Sequence, residues 1–135
     1  MSIDVTTSTP GTYRHVVQID AHTMQADMPK ADGGDDTGPG AHDYFDASLG
    51  VCKAMTAVWY AKKNGIPLDR VEVHVDRDAS QERQGTYVLK VGIAFFGGLD
   101  AAQKQKLHDV VGRCPVHKLM TTTKVQVETA PLSAT

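Results

Sequence analysis

Between residues 41 and 64 the positions Tyr44, Ser48, Val51, Cys52, Met55, Val58 and Trp59 recur at the three-to-four spacing of one helical face, which predicts the longest helix of the chain. Lys62, Lys63 and Asn64 followed by Gly65 and Pro67 supply basic residues at its last turn, a left-handed cap and a stop. Asp46 and Lys53 lie off that stripe, while Phe45, Leu49 and Tyr60 make other faces apolar too. A helix apolar on several sides needs cover on several sides, and a central position or a partner subunit provides it.

Alternation with period two marks the strands. Tyr13–Asp20 and Thr23–Asp27 read as a hairpin bending near Ala21-His22, Val71–Asp76 as a third strand, and Tyr87, Leu89, Val91, Ile93 and Phe95 as a longer fourth. Residues 29–40, rich in Gly, Pro and Asp, form a loop that lacks the alternating ligands and the bidentate Glu of a calcium loop. Asp100 with Gln103 is a capping-box pattern opening a helix through Leu107 and Val111 that closes near Gly112. Pro115 opens a short helix, and Lys124–Glu128 reads as a last strand. The order strands, helix, strands, helix, helix, strand is α+β with antiparallel or mixed sheets, and not an alternating parallel fold.

The 135 residues suit a single domain, taken as 13–130, between a flexible Ser/Thr-rich segment 1–12 and a tail 131–135. Fourteen basic against sixteen acidic residues, a net charge of −2 and no basic stripe leave no electrostatic footprint for nucleic acid. No apolar stretch reaches the length of a bilayer span, and no membrane partner is expected. The opening Met1–Pro10 has neither the basic start nor the apolar run of a secretory signal, so the expected compartment is the cytoplasm.

Only two cysteines are present, Cys52 within the helical pattern and Cys114 directly before Pro115. Singly, each is compatible with inert packing. Together, in a reducing compartment, they suit a transient catalytic disulfide better than a structural one. As the N-cap of the helix opened by Pro115, the Cys114 sulfur would face unpaired N–H groups and the positive end of the dipole, an arrangement that lowers a thiol pKa. Cys52, in mid-helix, would draw its thiolate character from a nearby cation instead. Cys114-x-x-His117 has a spacing found in zinc sites, but no second tight pair completes four ligands. His117 is then a surface or capping histidine, or a neighbour that supports Cys114. His42, beside Asp43, is a pocket-lining candidate.

Ala26-Asp27-Met28-Pro29, Gly33-Gly34, Gly38-Pro39, the run Asp43-Tyr44-Phe45-Asp46-Ala47-Ser48-Leu49-Gly50-Val51-Cys52-Lys53-Ala54-Met55-Thr56, and Cys114-Pro115-Val116-His117-Lys118-Leu119 together resemble the OsmC/Ohr family of thiol-dependent peroxidases. The resemblance extends from about Tyr13 to Thr129 and includes the interval between the cysteines, 114 − 52 = 62 residues. It implies an intertwined homodimer, central helices packed on sheets, active sites shared between subunits, and reduction of organic hydroperoxides with no metal or organic cofactor. It places Cys52 at the peroxidatic position, Cys114 at the resolving one, and Asp43 where the family usually has Glu. The shorter Asp reaches about one methylene less far toward a catalytic arginine, for which Arg14 on the first strand is the nearest candidate.

The chemistry follows from the thiols. A thiolate attacks the O–O bond, releases an alcohol and becomes a sulfenic acid; a second thiol condenses with it to a disulfide, and an external dithiol reductant resets the pair. Tyr44, Phe45, Met55, Trp59 and Met120 are expected to surround the thiols, favouring alkyl or lipid hydroperoxides over hydrogen peroxide. A non-enzymatic reading stands beside it: a homodimeric module that binds a small apolar or acyl ligand between its central helices, in which the cysteines serve as packing residues or as a redox sensor.

Overall fold

The structure, a computed structural model, describes residues 1–133. Its contacts divide the chain into two compact units, Met1–Ala47 and a second that begins at Ser48.

The first unit is built on an antiparallel three-stranded sheet in the order β1 (Ile3–Thr7), β2 (His15–Ile19), β3 (His22–Ala26). The β2–β3 hairpin pairs His15 with Ala26 and Ile19 with His22. Its tight turn is Asp20-Ala21, one residue earlier than the sequence suggests, because Asp20 takes the left-handed conformation (φ 50°) that Asp tolerates and bulkier residues avoid. The first dozen residues are not without regular structure: Ile3 pairs with Ile19 and Thr7 with His15. Ile3, Val5, Thr6 and Thr7 are β-branched, and β2 offers an open edge whose backbone groups they satisfy.

Asp27 organises the loop that follows. Its Oδ1 accepts the Met28 N–H (2.7 Å), and its Oδ2 accepts the Thr37 N–H (3.0 Å), the Thr37 hydroxyl (2.7 Å) and the Asp35 N–H (3.3 Å). The loop doubles back so tightly that a Cβ on Gly34 would lie 2.0 Å from the Met28 carbonyl oxygen, which no side chain permits.

In the second unit β4 (Leu68–Asp78) and β5 (Val88–Gly97) form an antiparallel ribbon, Val73 opposite Ile93 and Val75 opposite Val91. The long helix α1 (Ala41–Lys63) begins in the first unit and continues through the second, where the place of Gly50 lies against Val73 and Val75. It ends as expected: Gly65 is left-handed (φ 64°), and the Ile66 N–H reaches back to the Ala61 carbonyl at 2.9 Å. Helix α2 (Ala101–Val111) opens with the full Asp100–Gln103 capping box, and α3 (Pro115–Thr121) follows Cys114. The buried core comprises Ala57, Ala61, Phe95, Leu107 and Val111, flanked by Tyr60, Ile66, Leu68, Val71, Ile93 and Leu99. The α+β class with antiparallel sheets is as read from the sequence.

Two expectations fail. Residues 124–128 form no strand, and Val125 and Val127 remain exposed. An extended segment becomes a strand only against a neighbour that completes its hydrogen bonds, and among the described residues none pairs with it. On α1 the expected burial is inverted: Leu49, Lys53, Ala57 and Ala61 are buried, as is Asp46, whereas Val51, Met55 (67% exposed), Val58 and Trp59 (58% exposed) face outward. Small Ala57 and Ala61 let the core approach closely, and the large apolar residues occupy the other side.

The Asp27 network gives a pH dependence. The Thr37 N–H foremost, then the Thr37 hydroxyl and the Met28 and Asp35 N–H groups, hold its pKa down at about 2 from 3.8, against the opposing effect of burial. A carboxylate with a depressed folded-state pKa contributes stability that is present above the ordinary value and lost as pH falls through the depressed one. Backbone amide signals of residues 28–37 should therefore collapse between about pH 4 and pH 2 in an acid titration. Asp27→Asn should weaken the loop at neutral pH and remove that component; an unchanged acid transition in the variant would contradict the assignment.

Candidate functional site

The two cysteines, 62 residues apart in sequence (114 − 52), meet where the middle of α1 faces the turn between α2 and α3. Cys114 is held by local geometry. Its backbone (φ −62°, ψ 154°) is that of an N-cap, its N–H reaches the Val111 carbonyl at 3.4 Å, and its own carbonyl accepts the Lys118 N–H at 3.2 Å. Its side chain is wholly inaccessible to solvent. Cys52 is partly exposed, and both are free thiols.

Pro115 has no N–H to offer, so the first donor of α3 is the N–H of Val116. That N–H points to the Cys52 sulfur, at 3.4 Å, and not to the cysteine that caps the helix. The N–H donor expected to meet Cys114 thus meets Cys52 instead. Cys114 closes no side-chain cap hydrogen bond, and burial pushes its thiol above the ordinary cysteine range; the hydrogen bond shared with Cys52 raises it further. The approaching His117 N–H and the Lys53 charge offset only part of this rise. Cys52, for which the dipole of its own helix offers little in mid-helix, receives the N–H of another helix's first turn.

The cation at the site is Lys53, which the apolar periodicity of α1 had set aside as off the buried stripe. It is 4% exposed, and its Nζ donates to the Val111 carbonyl at 2.8 Å and lies 3.2 Å from His117 Nδ1. With the ammonium as donor, Nδ1 is the acceptor and the ring proton sits on Nε2. His117 thus supports the cluster through Lys53. The signal available in the sequence was the position of Lys53 beside Cys52, which gains meaning only once Val111 and His117 are brought to it.

The remaining candidates belong to the first unit. Asp43 is the third residue of α1, where its Oδ2 accepts the Gly40 N–H at 2.8 Å, half of a capping box. Arg14 is paired with Asp35 at 3.2 Å in an exposed salt bridge. The Tyr44 hydroxyl donates to the Gln25 carbonyl. The aromatic and methionine residues expected to enclose the thiols are differently placed: Met55 and Trp59 line an open groove of about 420 Å³ with Ala54, Val58, Lys62 and Val71, and neither cysteine lines it. Among the described residues no group of three or more His, Cys, Asp or Glu side chains gathers as metal ligands would.

Residues 33–130 match the family model described as OsmC-like protein. The chain belongs to the OsmC-like family. No curated protein matches it in sequence. In three dimensions it is similar to a candidate osmotic-stress-induced and detoxification-response protein of Psychrobacter arcticus 273-4 (TM-score 0.74, 18% identity, 90% of this chain and 89% of that one). It is also similar to an OsmC-like protein of Mycoplasma pneumoniae (TM-score 0.71, 18% identity, 90% and 89%). A third likeness is to an organic hydroperoxide resistance protein of Elizabethkingia anophelis solved with thiocyanate bound (TM-score 0.63, 19% identity, 90% and 89%). At these identities the likeness establishes the OsmC-like fold.

The unequal surroundings of the thiols should appear in their reactivity. Iodoacetamide applied to the native reduced protein should modify Cys52 first and Cys114 only after denaturant is added, as followed by peptide mass spectrometry, because attack requires an accessible thiolate. Prior modification of Cys114 would show that the buried thiol opens readily.

Proposed function

We propose that the chain is a thiol-dependent peroxidase that reduces organic hydroperoxides, with Cys52 as the attacking thiol and Cys114 as the resolving one. The observation that carries this reading is the asymmetric pair. Cys52 is partly open to solvent and its sulfur receives the Val116 N–H, whereas Cys114 is buried and lies close enough to Cys52 to act on it electrostatically. Once Cys52 is ionised, the Val116 N–H is a donor aimed at its charge. The Cys52 thiolate attacks the terminal oxygen of ROOH, the O–O bond breaks, and RO⁻ leaves and takes a proton to become the alcohol. The Cys52 sulfenic acid condenses with the Cys114 thiol, forming the S–S bond and releasing water. A dithiol reductant then returns two electrons and becomes a disulfide. The family, together with neighbours named for organic hydroperoxide resistance, supports organic peroxides as the substrate class.

The single-thiol variants test these roles. Cys52→Ser should abolish consumption of cumene hydroperoxide. Cys114→Ser should consume one equivalent and stall, accumulating a dimedone adduct at Cys52 and passing to the sulfinic acid under excess oxidant. Parent-like turnover by both variants, or an adduct confined to Cys114, would refute the assignment.

The same reading includes a homodimer in which the outward face of α1 is covered. Val51, Met55, Val58 and Trp59 are exposed side by side over about two turns, a contiguous apolar patch of the kind that marks interaction surfaces. Light scattering at micromolar concentration should give twice the chain mass, and the unfolding temperature should rise with protein concentration. A monomer mass with a concentration-independent transition would reject the dimer.

A further inference from the structure

We propose that Lys53 is a positioning residue that sets the redox poise of the Cys52–Cys114 pair, its buried ammonium stabilising the reduced pair and leaving the disulfide easily reduced. The inference rests on the two-thiol reading and adds a determinant to it. Lys53 Nζ takes its two hydrogen-bond acceptors from either side of Cys114 in the chain, the Val111 carbonyl at 2.8 Å and His117 Nδ1 at 3.2 Å. The Val111 carbonyl also receives the Cys114 N–H, at 3.4 Å, so the lysine and the backbone of the resolving cysteine converge on one oxygen. The side chain therefore pins the turn that carries Cys114. It also brings a positive charge close enough to act on the Cys114 sulfur.

Both acceptors of the ammonium are neutral, a carbonyl and an imidazole. A buried charge is stabilised most by an opposite charge, and in the reduced protein a thiolate of the pair can supply one. The disulfide carries no charge. Oxidation therefore removes the anion while the buried cation stays, which raises the free energy of the oxidised state relative to the reduced one. A dithiol whose reduced form is selectively stabilised is a stronger oxidant. In the resetting step the donor thiolate attacks one sulfur, the S–S electron pair passes to the other, and a second attack within the mixed disulfide frees the donor as its own disulfide. Two electrons enter the pair, and one proton is released to water when the reduced pair holds a thiolate. On the two-thiol reading that anion is the Cys52 thiolate, formed next to the turn that Lys53 holds, so the lysine favours the step that ends each turnover.

Redox titration measures this directly. The parent, Lys53→Met, Lys53→Gln and Lys53→Arg are oxidised with diamide, equilibrated in glutathione buffers, trapped by alkylation and resolved by mass spectrometry. Diamide makes the disulfide independent of any peroxidase activity. The Met and Gln variants should favour the disulfide about tenfold more than the parent, a potential lower by about 30 mV, and Arg should restore the parent value. Two neutral variants are used so that a folding failure of one leaves the other. Unchanged potentials in the neutral variants, an Arg variant shifted as far as Met, or failure of diamide to form the internal disulfide would each overturn the inference. A protein that forms the disulfide with diamide but is inert to cumene hydroperoxide would instead count against the peroxidase reading, with the lysine effect still measured.

Discussion

An ammonium group taken out of water must find acceptors where it lies, and Lys53 finds them on the turn between α2 and α3. Loss of either acceptor would leave a buried donor unsatisfied, which costs on the order of 1–3 kcal/mol and more for a charged group. The burial of Lys53 and the position of that turn are thus mutually required. Cys114 lies within the turn and Cys52 precedes Lys53 on α1, so the same contact fixes the approach of the two sulfurs. No core residue does this as specifically, because apolar packing has no direction.

The demand explains the division of α1 into unlike faces. The side that carries Leu49, Lys53, Ala57 and Ala61 admits close approach at its two alanines and a specific polar contact at its lysine. The opposite side carries the larger apolar residues and meets solvent in the single chain. Spacing alone identifies an apolar stripe but not which of two stripes the same chain covers. The helix was legible in its length and its cap, since the Gly65 cap and the Ile66 to Ala61 bond are local. Its orientation was not, because that depends on residues distant in sequence, among them Phe95, Leu107 and Val111.

The same distinction separates the other successes from the failures. Asp100 and Gln103 satisfy one another across three residues, and the box is present as written in the sequence. The β4–β5 ribbon follows from alternation over adjacent segments. The segment 124–128 alternates just as clearly, yet a strand is a property of two segments and the chain gives it no neighbour among the described residues. Cys114 is the sharper lesson. Its place as the N-cap was read correctly, but its thiol titrates upward because burial outweighs what a short helix's first turn contributes, and burial is a tertiary quantity. The pairing of the two cysteines was legible only through the family resemblance, since nothing local relates residue 52 to residue 114.

The local environments also bear on how the acidic and basic candidates divide. Asp43 spends its carboxylate on the Gly40 N–H at the start of α1, and Arg14 is engaged with Asp35, so each has a structural task within its own unit. Lys53 has a structural task as well, but one carried out beside the sulfurs. A residue that both orders a turn and carries a charge felt by the Cys114 thiol cannot be varied for one purpose without disturbing the other, and this coupling is why charge-preserving and charge-removing substitutions must be compared at the same position. On the two-thiol reading, the more accessible sulfur meets the oxidant and the sheltered one waits as a thiol, protected from over-oxidation by the burial that keeps it protonated. The sequence of events in the proposed cycle then follows from solvent access and hydrogen-bond donation, with no difference in the intrinsic chemistry of two identical side chains.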